Sequence, residues 1–114
     1  MNHYELVCIY KPDLSKNLID NLTESITKNI TDLKGKMVAQ EIWGLRDLAY
    51  NIKTYKKGYY MFAQIDLKKE SIDKMKRSFN LDENIIRHQF IKVNEHEKLP
   101  TSIMEKNNEK TEKI

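Results

Sequence analysis

The sequence predicts an α+β fold of order β-α-β-β-α-β: a four-stranded antiparallel sheet, strand order 4-1-3-2, with both helices on one face. Three observations predict it. Residues 3–10 and 59–67 alternate two sets of side chains with period two, the signature of a strand. Residues 18–33 and 72–79 instead repeat apolar residues at helical spacing. These periods follow one another as strand-helix-strand, twice over. Two such units interlock by right-handed crossovers, which puts the first and third strands in the middle of the sheet.

Each element has a local reason. In residues 3–10, Tyr4, Leu6, Cys8 and Tyr10 form one set, and His3, Glu5, Val7 and Ile9 the other. The second set carries the charge, so the first is assigned to the core. Lys11-Pro12-Asp13 ends the strand. Ser15 is an N-cap candidate. Leu18, Leu22, Ile26 and Ile30 then recur every four residues, with Ile19 and Leu33 beside them, and Gly35 stops the helix. Residues 36–53 are extended in character, with a bulge or bend expected at Trp43-Gly44. Thr54-Tyr55-Lys56-Lys57-Gly58 reads as a basic hairpin tip. In residues 59–67, Tyr59, Met61, Ala63, Ile65 and Leu67 share one face, and Tyr60, Phe62, Gln64 and Asp66 the other. The second helix spans 69–80 with Ile72, Met75 and Phe79 inward. The last strand spans 85–93, its outward set being Arg87, Gln89 and Ile91.

The domain organisation is residues 1–93 as one folded unit and 94–114 as a charged tail. The tail is mostly Lys, Glu and Asn, which bury too little apolar surface to order by themselves. A chain of 114 residues suffices for one real core. The single cysteine, Cys8, excludes an internal disulfide and a thiolate zinc site. No apolar run reaches signal-peptide or transmembrane length, so a cytoplasmic location is expected.

Chemistry is sparse. The three glycines are far apart and build no phosphate loop. His3, His88 and His96 lack metal-ligand spacing, and His88 falls on the core-facing set of its strand. No nucleophile or carboxylate pair stands out. No catalytic residue, cofactor or metal is expected. The net charge of +3, from 20 basic and 17 acidic residues, permits an RNA partner without demanding one. The helix-free face is more telling. It gathers Val7, Ile9, Phe62 and Ile91 into an apolar patch with a polar rim, the composition of a docking site.

One stretch is specific. Trp43-Gly44-Leu45-Arg46-Asp47-Leu48-Ala49-Tyr50-Asn51-Ile52 resembles the second-strand motif of bacterial small-subunit ribosomal protein six: a glycine, two commonly basic residues, Leu-Ala-Tyr, then usually Pro and Ile. His3-Tyr4-Glu5, Pro12, Gly58-Tyr59 and Asn84-Ile85-Ile86-Arg87 agree in order and spacing, so the resemblance covers residues 2–93. It departs at Asn51, where proline is usual, and at Asp47, where a basic residue is common and a phosphate contact is put in doubt.

The resemblance implies a ferredoxin-like fold and a place in the central part of the small ribosomal subunit. It also implies a heterodimer with small-subunit ribosomal protein eighteen, with which ribosomal RNA is bound, and no small-molecule substrate or membrane partner. Arg46, Lys53, Lys56, Lys57, Arg87 and Lys92 are then the expected phosphate and sugar contacts. Arg87 leads, because it lies on the open face and matches the family position. His3 and Tyr4 are stacking or hydrogen-bonding candidates near RNA, with core packing the competing reading for Tyr4. Val7, Tyr60, Phe62 and Ile91 are the expected partner-docking residues. Leu48, Tyr50 and Trp43 are assigned to the fold, with partner contact at the rim.

Two other classes remain open. An RNA-recognition-motif-like single-strand binder shares this topology, and Lys57-Gly58-Tyr59-Tyr60-Met61-Phe62-Ala63-Gln64 echoes its third strand. Met61 and Gln64, however, stand where that motif needs aromatic residues. A ferredoxin-like dimeric metabolite-binding protein is the other class, and nothing in the chain supplies its site.

Overall fold

The alternation near the N-terminus forms β1 (Asn2–Tyr10). The computed structural model describes residues 1–96. Tyr4, Leu6, Cys8 and Tyr10 of β1 all point into the core, as the pattern predicts. The remaining elements are α1 (Lys16–Asp32), β2 (Lys36–Ile52), β3 (Tyr55–Leu67), α2 (Lys69–Leu81) and β4 (Ile85–Val93). The sheet runs β2-β3-β1-β4, which is the expected order read from the other edge. All three strand pairings are antiparallel.

Ser15 starts α1: its Oγ accepts from the Leu18 N–H at 3.3 Å. Leu22, Ile26 and Ile30 are buried against the sheet. Burying three such side chains contributes roughly 5–9 kcal/mol before chain entropy is counted. Leu18, expected in the same stripe, is 45% exposed. A strict four-residue spacing advances about 40° per step around the helix, so Leu18 and Ile30 stand roughly 120° apart and cannot both face the sheet.

The end of α1 differs from expectation. The left-handed residue is Lys34, at φ 64°, not Gly35. Lys34 N–H donates to Thr31 O at 2.9 Å, and Gly35 N–H to Ile30 O at 2.8 Å, the two bonds of a Schellman cap. Gly35 is needed for space. A Cβ there would stand 2.5 Å from Leu67 Cδ1 and 2.7 Å from the Asp66 carbonyl oxygen.

The hairpin tip also lies elsewhere. The turn residues are Lys53 and Thr54, both at positive φ (49° and 73°), between the paired Ile52 and Tyr55. This is a two-residue type I′ turn, whose usual residues are Asn and Gly. Lys56, Lys57 and Gly58 therefore belong to β3, which starts four residues before the expected Tyr59. Gly58 is a packing residue, since a Cβ there would collide with Ile9 Cγ2 and touch Leu48 Cδ2.

Tyr10 is fully buried, and its hydroxyl lies 3.1 Å from Thr23 Oγ1. Thr23 donates its own proton to Ile19 O at 2.9 Å, so the Tyr10 hydroxyl is the donor in the pair. Burial pushes the Tyr10 hydroxyl and the Cys8 thiol well above their ordinary pKa values. That leaves Cys8 an inert small hydrophobe. His88, expected to be a satisfied buried histidine, is only half-buried and lies against the ring of Phe79 at 5.2 Å.

The helix-free face as a candidate binding interface

β2 shapes this face. Its register against β3 shifts between Ile42 and Gly44, as expected for a bulge at Trp43-Gly44, and Gly44 takes φ 82°. The bulge lays the Trp43 indole over the open side of the sheet, nearly parallel to Phe62 at 5.1 Å and to Tyr60 at 6.4 Å. Trp43 Nε1–H donates to Glu41 Oε1 at 3.0 Å. The Arg46 guanidinium lies 5.6 Å from the indole centroid, and its Nε–H donates to Trp43 O at 3.3 Å. A cation over an indole is held there by the ring quadrupole.

This stack corrects one expectation. Phe62 does lie on the helix-free face, yet it is 3% exposed because Trp43 covers it. Ile9 is likewise buried, its side chain filling the space over Gly58. The contact surface therefore falls to Val7, Tyr60 and Ile91, together with the covering Trp43. Ile91 is exposed, while Val7 and Tyr60 are half-buried.

Beyond Asp47, β2 no longer pairs with β3 until Ile52. Residues 48–52 rise from the sheet and wall a groove of about 270 Å³ over its open side. Leu48, Ala49, Tyr50 and Ile52 form that wall; Val7, Ile9 and Tyr60 form the floor, and Arg87 and Gln89 the opposite bank. Tyr50 is 86% exposed, a large apolar surface at the rim. The sequence assigned Leu48, Tyr50 and Trp43 mainly to the fold. The unpaired stretch after Asp47 could have been suspected only from its closeness to the hairpin turn.

The cationic candidates divide. Arg87 stands on the open face, opposite Ile9 of β1, and borders a second cavity together with Lys53. Arg46 pairs with Gly58, and by strand alternation Lys56 shares that face. Lys57 points the other way, 3.9 Å from the Asp47 carboxylate, with both side chains largely exposed. Such a pair adds little stability, but it places a carboxylate beside Lys57. Lys92 is opposite Tyr4, hence on the helix-bearing face, away from Arg87.

Tyr4 itself is buried at 6% exposure, edge-on to Phe90, so the core reading holds and it offers RNA no surface. His3 lies at the far end of β1 from Arg87's partner Ile9, six strand residues or roughly 20 Å away. There the His3 and His96 rings both reach Asp66 Oδ1. Burial raises the Asp66 pKa, but the hydrogen bonds from His3 and His96 outweigh it and hold the carboxyl below its ordinary value. Among the described residues this is the cluster whose atoms could hold a metal ion. Linear spacing gave no signal for it, because the partners lie 63 and 30 residues apart.

Residues 3–92 match the family model described as Ribosomal protein S6. The chain belongs to the ribosomal protein S6 family. The small ribosomal subunit protein bS6 of Zymomonas mobilis is 38% identical over 101 residues, covering 89% of this chain and 82% of its own. That of Rickettsia prowazekii is 40% identical over 112 residues, covering 98% and 91%. A crystal structure of 30S ribosomal protein S6 from Thermotoga maritima has the same fold, with TM-score 0.76 and 25% identity over 97% of both chains. Membership makes the protein a non-enzymatic constituent of the small ribosomal subunit with a ferredoxin-like fold. No helix of the described residues is long and apolar enough to cross a membrane. The β4 strand ends at Val93, and of the expected tail only residues 94–96 are described; residues 97–114 lie outside the described residues.

Proposed function

We propose that this member of the S6 family binds small-subunit ribosomal RNA in its central domain as a heterodimer with small-subunit ribosomal protein eighteen. The observation that carries the reading is the groove on the helix-free face. Its wall, residues 48–52, is the stretch bearing the family signature, and Arg87 stands on its opposite bank. An apolar groove with an exposed Tyr50 fits a polypeptide better than a polyanion. The cations fit the polyanion: Arg46, Lys53, Lys56 and Arg87 lie around that end of the sheet. The net charge of +3 is small for an RNA binder working alone, so the partner is expected to supply further positive surface.

The test is binding of central-domain ribosomal RNA, measured with and without the partner at several salt concentrations. Binding is expected only with the partner. Four phosphate contacts from this chain add about −3 to the log–log salt slope. Arg87→Ala weakens binding, whereas Lys92→Ala, on the other face, has much less effect. Tight binding of short single strands by the chain alone would instead favour an RNA-recognition-motif-like mode on the Trp43, Tyr60 and Phe62 stack. Sedimentation of the protein only in the soluble top fractions of a sucrose gradient, apart from small subunits, would reject both.

A further inference from the structure

We propose that His3, Asp66 and His96 form a binding site for a divalent transition-metal ion, zinc by its ligand chemistry. The site fastens the chain after β4 to the middle strands of the sheet. The three residues come from β1, β3 and the segment that follows β4, so only the folded chain brings them together. One ligand atom from each lies within 4.8 Å of the other two. His96 Nε2 is 2.9 Å from Asp66 Oδ1, and His3 Nδ1 reaches the same oxygen.

Zinc takes imidazole nitrogen and carboxylate oxygen at about 2.0–2.2 Å in a tetrahedron, which sets neighbouring ligand atoms roughly 3.4 Å apart. To admit the ion, the two nitrogens draw back from the carboxylate oxygen by no more than about 1 Å and close on one another by no more than about 1.4 Å. Two neutral imidazoles and one carboxylate carry one negative charge, and this N,N,O set suits zinc rather than magnesium or calcium.

The three ligands differ in burial. The exposure of the side chains falls from 41% at His3 to 22% at Asp66 and 12% at His96. The site is thus closed on the His96 side and open on the His3 side, where water supplies the fourth ligand. The His96 Nδ1 atom is buried and has no hydrogen-bond partner among the described residues. A neutral ring that ligates through Nε2 carries its hydrogen on Nδ1, so this ligand lacks the outer hydrogen bond that usually steadies a metal-bound histidine. On binding, a neutral ring moves the hydrogen it holds toward Asp66 to its other nitrogen (Nε2 of His3, Nδ1 of His96), a doubly protonated ring releases that hydrogen to water as H⁺, and nothing is oxidised or reduced.

The site stands apart from the groove and from the proposed RNA contacts, so it succeeds or fails independently of them. The experiment is calorimetric titration of the untagged full chain with Zn²⁺, paired with the visible spectrum of its Co²⁺ form. The expected result is one ion per chain, with the intense absorption of tetrahedral cobalt. His96→Gln and Asp66→Asn should each weaken uptake by about tenfold or more, while His88→Gln leaves it unchanged. Should Asp66→Asn fail to fold, His96→Gln, at the end of the described chain, still gives the answer. No stoichiometric uptake, or uptake indifferent to His96→Gln, would overturn the proposal and leave only a hydrogen-bonded cluster.

Discussion

Tyr10 and Thr23 show how a single buried polar pair sets the sign of two substitutions. The Tyr10 hydroxyl donates to Thr23 Oγ1, and Thr23 donates to the Ile19 carbonyl. Tyr10→Phe removes a donor but strands no group, so a loss of about 1 kcal/mol is expected. Thr23→Val leaves the Tyr10 hydroxyl buried without its acceptor, and about 1–3 kcal/mol is expected. Urea unfolding of both variants checks the order. His88 adds a pH dependence. Desolvation, and the nearby Lys76, lower its pKa from 6.5. The unfolded chain therefore binds more protons here than the folded one. The contribution of His88 to stability is complete above pH 6.5 and is lost as the pH falls from there through the folded value. Midpoints measured across that range should fall less steeply with acid in His88→Gln than in the parent. At this scale the sequence was legible wherever alternation decided a face, as for Cys8, Met61 and Ile65. It was silent where a neighbour decided exposure. Phe62 sits on the face its alternation assigned, and only the Trp43 indole removes it from solvent.

The elements were legible in type and order because each carries a strong period. Their ends were not, because glycine has two uses. Gly35 and Gly58 both read as turn signals, yet both serve close packing, and the left-handed backbone falls on Lys34, Lys53 and Thr54. This gives opposite expectations for adjacent positions. Lys34→Gly relieves a left-handed residue and should stabilise by about 1 kcal/mol. Gly35→Ala forces a methyl against Leu67 and the Asp66 carbonyl and should cost about 1–3 kcal/mol. In the hairpin, Lys53→Asn combined with Thr54→Gly suits a type I′ turn and should add about 1 kcal/mol. Denaturation midpoints at unchanged m-value check all three. The rise of residues 48–52 from the sheet belongs to this scale too. Nothing in their composition marks a strand that stops pairing, since Leu, Ala, Tyr and Ile would suit a paired one equally well.

Across the whole molecule, the two faces of the sheet divide the work. Helices α1 and α2 seal one face with the core cluster. The other keeps a bulged edge strand, an indole cover and a groove. The fold class, strand order and family were readable from order, period and one ten-residue signature. The candidate site was readable only as a face. Which residues line it depends on β2 turning over the sheet, and that is a tertiary event. The same limit separates Lys92 from Arg87, and it joins His3 to His96. The most direct test of the proposed docking surface is backbone hydrogen exchange in the presence and absence of small-subunit ribosomal protein eighteen. Slower exchange is predicted in residues 45–52 and 87–91, with α1 and α2 unchanged. Protection confined to the helices, with residues 45–52 exchanging as in the free protein, would contradict the account.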